Sequence, residues 1–370
     1  MGLKIYSSIL GSCEGLALRI EHALKNISPE SVCGVILCGT NDTTEYHDLL
    51  REAKSAIYSS LAKSVPVTLI PQQLLPDGGL ALEVYSLEGG DVDFQIGEHN
   101  GVCYGVVESH NEKMLFVEGI PATNFSEKVC KQSQEVFEKF DTLLSMYGFE
   151  VDDIVRQWNY IGNIVSHKDG KQNYQEFNDA RSAYYAKGAW HNGYPAATGI
   201  GSTEGIIVGG IAFKRTDNKG IFPIDNPLQV AAHVYSKNVL IDNDDNAIKS
   251  TPKFERAKLI ENTGGVLCFV SGTAAIRGEE SVDPHSAKLQ TIKTLENIKH
   301  LVSKENLVRF GCKPYELKTA FLHVFIKHAE DYCDVRAVVE AAYPHVPTIY
   351  SVADVCRSEL LVEIEGILTL

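Results

Sequence analysis

The sequence predicts an α+β fold of duplicated units, each a mixed sheet with helices packed on one face. Three observations carry that prediction. The first is an internal repeat: Lys113-Met114-Leu115-Phe116-Val117-Glu118-Gly119 resembles Val266-Leu267-Cys268-Phe269-Val270-Ser271-Gly272, each an apolar strand ending at a glycine. The second is the amphipathic helix that follows in both halves. The third is composition: 370 residues, 44% hydrophobic and 22% charged, describe a globular chain with a sizeable core and more length than one ordinary domain needs.

Residues 1–100 form an N-terminal α/β segment with the least pattern: a strand over 35–40, a helix over 46–63 and a strand over 67–70, which could be a third, decayed copy. In the first unit, 101–213, Val129, Val136, Phe137, Phe140, Leu143 and Leu144 recur at helical spacing from about Ser126 to a stop at Gly148. Glu150 to Ile161 then matches Lys313 to Val324, a short turn feeding a strand. A second helix near 174–187 carries Asn178-Asp179-Ala180-Arg181, and its counterpart carries Cys333-Asp334-Val335-Arg336. In the second unit, 258–370, Asp283-Pro284 is expected to cap a helix whose stripe is Leu289, Ile292, Leu295, Ile298, Leu301 and Val302. Closing strands are expected within 194–213 and 346–368. The connecting segment, 214–257, is polar, and its run Asp242-Asn243-Asp244-Asp245-Asn246 reads as a solvated loop.

Several function classes fall away. No apolar run approaches the ~18–20 residues of a membrane span. The first residues lack a charged segment followed by an apolar one, so export is not signalled. Nine cysteines, odd in number and with no CxxC, fit reduced thiols in a cytoplasmic protein. Twelve histidines include no HExxH, so no metal site is expected. A net charge of −14 argues against nucleic acid and anionic membrane surfaces, but not against a small anion held by local positive groups. The glycines between 199 and 210 include no GxxxxGK[ST] and read as tight turns and close backbone packing.

The second unit resembles the Rid/YjgF family through Phe269-Val270-Ser271-Gly272-Thr273-Ala274-Ala275-Ile276, through Gln290 followed by Thr294-Leu295-Glu296-Asn297-Ile298, and through Leu360-Leu361-Val362-Glu363-Ile364-Glu365. Over roughly 100–370 the chain is more similar to the chorismatases. That likeness rests on Phe177-Asn178 with Arg181, on Pro195-Ala196-Ala197-Thr198-Gly199-Ile200-Gly201, and on Gln229 with Tyr235. It rests also on Pro252-Lys253-Phe254-Glu255-Arg256-Ala257 and on Cys356-Arg357-Ser358-Glu359-Leu360. The resemblance implies duplicated Rid/YjgF-like (chorismate-mutase-like) units, no cofactor, and cleavage of the enolpyruvyl ether of chorismate to pyruvate. The ring product would be a hydroxybenzoate or a dihydroxycyclohexadiene carboxylate. Free-standing Rid domains close as trimers, so the chain is expected as a monomer or a trimer.

That chemistry needs cationic anchors for two carboxylates and one carboxylic acid to protonate the enol methylene. The resemblance puts Glu363 at the place of the acid. Strand parity turns Glu363 and Glu365 to one face, although a solvated polar edge would show the same spacing. Arg181 shares a helix face with Phe177 and Tyr185, so its guanidinium needs an anion: a ligand, or an ion pair such as Asp179. Arg336 holds the equivalent place in the second copy, with Glu340 one turn on as the competing partner. Arg357 has the parity of Glu363 and the planar fork that suits carboxylates. Tyr235 is implied as a donor to the substrate.

A thiol at the place of Cys356 accompanies hydroxybenzoate formation in similar chorismatases. Ala274, in contrast, resembles the small-residue variant of the hydrolysing members. Cys356 has the opposite strand parity to Glu363, so a bulge or bend is expected if both reach the substrate; as a lone cysteine beside Val355 it equally reads as packing. Two other classes stay open: a Rid-like imine or enamine deaminase, whose substrate arginine would fall at Thr348, and a non-catalytic small-molecule-binding protein.

Overall fold

The computed structural model describes residues 2–10, 15–39, 46–88, 93–168, 170–236 and 250–370. The N-terminal segment runs β1 (Gly2–Leu10), α1 (Leu16–Leu24), β2 (Val32–Gly39), α2 (Tyr46–Leu61), β3 (Val67–Ile70), the short β4 (Gln73–Leu74) and β5 (Leu80–Glu88). A second segment follows with β6 (Asp93–His99), β7 (Val102–Glu108), β8 (Glu112–Pro121), α3 (Val129–Met146) and β9 (Ile154–Gly162). It continues through the hairpin β10 (His167–Lys168) and β11 (Lys171–Gln172), α4 (Asn173–Tyr185), β12 (Ala196–Ser202) and β13 (Ile206–Arg215). The third opens with β14 (Ile221–Ile224), β15 (Ala257–Asn262), β16 (Gly265–Ala274) and the hairpin β17 (Ile276–Arg277) and β18 (Glu280–Ser281). It closes with α5 (Ala287–Leu301), α6 (Lys304–Arg309), β19 (Lys318–Ile326), α7 (Tyr332–Ala342), β20 (Thr348–Val352) and β21 (Val362–Thr369).

The second sheet has the order β6-β7-β8-β13-β9-β12 and the third β14-β15-β16-β21-β19-β20-β4. Six strands of each follow one plan, in which the last strand inserts between the two halves of the sheet. The N-terminal sheet, β1-β5-β2-β3, repeats the last four strands of that plan, β8-β13-β9-β12 in the second sheet and β16-β21-β19-β20 in the third. In all three, the two strands joined by the second helix run parallel and the other main pairs antiparallel, as a helical crossover requires.

Strand alternation divides the core. Leu115 and Val117 of β8 join α3 and α4 in one buried cluster, and Val324 and Ile364 join α5 and α7 in another. Residues of opposite parity, such as Phe116, Trp158, Phe269, Phe325 and Ile367, meet Tyr85 of β5 in a third cluster shared by all three sheets. Glu363 and Glu365 have the parity of Ile367, so they point to this shared centre, and both are buried.

Local differences from the sequence reading have simple causes. Helix α3 ends as expected: Gly148 takes φ +68° and the Phe149 N–H reaches back to the Leu144 carbonyl at 2.9 Å. The cap of α5 is Ser286, not Asp283-Pro284, because its hydroxyl accepts the Leu289 N–H at 3.2 Å. Leu289, expected in the buried stripe, is 46% exposed, and Gln290 and Thr291 take the buried places beside it. The connecting segment is more than a loop, since β14 pairs with β15 and opens the third sheet. The acidic run from Asp242 to Asn246 lies outside the described residues. The eight described cysteines are all free, and among the described residues no helix is long and apolar enough to cross a membrane.

Candidate active site

A cavity opens where α4 and β12 of the second segment meet β16 and β21 of the third. A β-bulge makes the junction. Val270 pairs with Gly366 but Thr273 with Ile364, so β16 carries one extra residue opposite Glu365. Ser271 in the bulge donates to the Glu255 carbonyl at 2.6 Å and accepts the Ala197 N–H at 2.9 Å. The Gly272 N–H donates to Thr198 Oγ1 at 3.1 Å. Both contacts from β12 stitch the second sheet to the third.

Glu363, 4% exposed, lines this cavity and accepts no hydrogen bond from the described residues. Its carboxyl lies against Gly272, where a β-carbon would stand 2.0 Å from Oε1 and push the carboxyl from its place. Burial, reinforced by the nearby Glu365, pushes its pKa up to about 8, against the opposing pull of Arg256 and Arg156. At neutral pH the group is a carboxylic acid. Glu365, in contrast, is ion-paired to Arg156 at 2.5 Å and accepts from Trp158 Nε1 at 3.2 Å.

Three arginines face the same cavity. Arg181 is 1% exposed; it donates to Asn178 Oδ1 at 2.6 Å, stacks on Phe177 at 5.4 Å, and leaves Nε without a partner. Asp179, its rival partner in the sequence reading, is engaged by Lys171 and Gln175. Arg256 donates to Tyr235 Oη at 2.5 Å and to the Val230 carbonyl at 3.0 Å, and its Nε is also unpartnered. Arg357 donates to the Glu279 carbonyl at 2.8 Å and to Ser281 Oγ at 3.3 Å. The Tyr235 ring lies between these last two, 5.7 Å from the Arg256 guanidinium and 5.4 Å from that of Arg357. None of the three forms an ion pair with a carboxylate among the described residues. Buried guanidinium charge held only by neutral groups is a built anion receptor.

Of the residues expected from sequence, Glu363, Cys356, Arg181, Arg357 and Tyr235 line the cavity together. Arg336 does not. It is half exposed on α7, and its Nε pairs with Glu340 at 2.7 Å, the structural partner one turn away. The equivalence of the two helices fails because α4 is covered at the junction, whereas this face of α7 meets solvent. The bend that parity demanded for Cys356 is present: 353–361 is irregular and β21 begins only at Val362. Burial, with help from Glu363, pushes the Cys356 thiol up to about 12, so it stays an S–H group. Thr348 donates to the Val346 carbonyl and does not line the cavity.

Arg256 and Tyr174 also line the cavity, and the sequence pattern does not mark either as a site residue. Arg256 sits inside Pro252–Ala257, a motif already noted, but only the fold shows that its side chain turns inward. Tyr174 lies in the first turn of α4 and its ring packs on Gly199, where a β-carbon would stand 3.2 Å from Cε2. Burial keeps its phenol protonated.

Residues 92–212 match a family model described as chorismatase FkbO/Hyg5-like, N-terminal. Over 290 residues the chain is 32% identical to a 3-hydroxybenzoate synthase of Streptomyces hygroscopicus, covering 75% of this chain and 79% of that one. The chain belongs to the chorismatase family. It is also 29% identical over 316 residues to a chorismatase of Streptomyces rapamycinicus, covering 83% of this chain and 88% of that one. A chorismatase crystal structure at 1.08 Å resolution matches the whole fold, with a TM-score of 0.71 at 23% identity over 100% of this chain and 99% of that one. The chorismatase fold thus includes the N-terminal sheet, which the sequence motifs left out. The model match spans Tyr174, Asn178, Arg181, Ala197 and Gly199, and so one wall of the cavity.

Proposed function

We propose that this chorismatase cleaves the enolpyruvyl ether of chorismate, releasing pyruvate and leaving a hydroxybenzoate. The carrying observation is the pairing of opposites in one cavity: three buried guanidiniums that pair with no carboxylate among the described residues line it beside one carboxyl held protonated. A dianion with a proton-accepting carbon is the complementary ligand.

Arg181, Arg256 and Arg357 take the two carboxylates, with Tyr235 fixing the last two arginines. Glu363 delivers its proton to the enol methylene carbon, and the resulting cation is shared with the ether oxygen. The ring C–O bond then breaks, and pyruvate leaves with that oxygen as its carbonyl. Loss of a ring proton to the Glu363 carboxylate completes the aromatic ring and restores the acid. No atom is gained or lost, and every step is a proton transfer or a C–O cleavage, so no cofactor is called for. Capture of the cation by water gives the dihydroxycyclohexadiene carboxylate instead. The free thiols support a reducing, cytoplasmic setting.

Cys356 sits beside Glu363 and fills cavity space as a neutral thiol. Replacing it with alanine admits water next to the reacting carbon. Chromatography of the products should show hydroxybenzoate from the wild type and a raised share of dihydroxycyclohexadiene carboxylate from Cys356→Ala. An unchanged product ratio would leave Cys356 a packing residue. A wild type yielding only the diene product would assign the chain to the hydrolysing outcome.

A further inference from the structure

Glu365, Arg156 and Thr198 make a buried cluster directly behind the candidate acid, and neither the sequence motifs nor the reaction gives them a task. Arg156, on β9, is 2% exposed and Glu365, on β21, is 6% exposed. Arg156 Nη2 donates to Glu365 Oε2 at 2.5 Å and to Thr198 Oγ1 at 2.8 Å. Thr198, on β12, donates its hydroxyl to the same Glu365 oxygen. That hydroxyl also receives the Gly272 N–H, and Gly272 is the surface on which the Glu363 carboxyl rests. The chain of contact therefore runs from Glu365 through Thr198 and Gly272 to Glu363, across the junction of two sheets.

We propose that Glu365, held by Arg156 and Thr198, is a positioning residue for the Glu363 acid, fixing the bulge against its carboxyl and keeping Arg156 occupied. This inference rests on the reading of Glu363 as the proton donor.

Charge supports the geometry. The groups facing Glu363 are Glu365 on its own strand, Arg156 from β9, Arg256 before β15, Arg181 and Tyr174 from α4, and Cys356 and Arg357 from the irregular segment. Glu83 of β5 stands behind Glu365 and is itself pushed up to about 8 by burial. Tyr85 donates to it at 2.5 Å. With Glu83 protonated, Glu365 is the carboxylate that matches the Arg156 charge, and Glu363 forms no ion pair among the described residues. A well-packed apolar cluster would hold the three sheets together at least as well as a buried ion pair. The placement of this one behind the acid is what a positioning role requires.

The test labels the glutamate carboxyls with carbon-13 and follows the Glu363 titration by NMR, assigned by its loss in Glu363→Gln. Glu365→Gln should lower the Glu363 titration by about one pH unit or more, because a negative neighbour goes and Arg156 is left unpaired. Thr198→Val, nearly the same size, should cut kcat on chorismate about tenfold with little change in KM, while Thr198→Ser restores it. A Glu363 titration that stays put in Glu365→Gln, or a Thr198→Val enzyme with wild-type kcat, overturns the positioning role. A wild type that releases no pyruvate sinks the reading of Glu363 as the acid, while a shifted titration would still uphold its coupling to Glu365.

Discussion

Glu363→Gln is expected to bind chorismate and release no measurable pyruvate. Glutamine keeps the size and the contact with Gly272 but has no proton to give. A positioned general acid contributes about 10²–10⁴-fold, and here it alone starts the sequence, so the loss should lie at the upper end. Binding should persist because the anchors are arginines on other elements: Arg181 on α4, Arg256 before β15, and Arg357 ahead of β21. Equilibrium binding of chorismate to the variant, beside a pyruvate assay, checks both halves. Pyruvate release at the wild-type rate would remove Glu363 from the mechanism.

Arg181→Met should separate affinity from stability. The guanidinium is 1% exposed and, among the described residues, pairs with no carboxylate and leaves one N–H without a partner. In the free protein that arrangement is a liability, since a buried charge without a counter-ion costs more than it returns. It becomes favourable only when a substrate carboxylate arrives. Methionine fills similar space without charge, so KM for chorismate should rise by about 30- to 1,000-fold, the equivalent of about 2–4 kcal/mol. The melting temperature should hold or rise, the trade expected where a site is built at the expense of the fold. A large drop in melting temperature with KM unchanged would recast Arg181 as a structural residue.

Much of this protein is legible in its sequence, and the limits are physical. The repeated strands at 113–119 and 266–272 and their helices show because period-2 and period-3.6 patterns are local. Glu363 and Arg181 show because a charge on an apolar stripe is locally anomalous. Arg336 has the same local pattern, and what separates it from Arg181 is which helix face a neighbouring sheet covers. Arg256 is hidden for the converse reason: its inward turn depends on the Ser271–Gly272 bulge, which closes contacts with Glu255 and Ala197 from elsewhere in the chain. The N-terminal sheet is faint in sequence, yet Glu83 and Tyr85 reach the central cluster beside Glu365 and Trp158. No single window of sequence contains such a three-sheet meeting point.

The claim at the centre is that a neutral Glu363 gives up a proton. The most direct measurement is the rate of pyruvate release from chorismate between about pH 6 and pH 10. With Glu363 titrating at about 8, the active form is the protonated one. The rate should therefore hold on the acid side and fall with a one-proton slope as pH rises through that value. A rate that climbs through the same range would make Glu363 a base acting on water, and an absence of pyruvate at every pH would contradict chorismate cleavage itself.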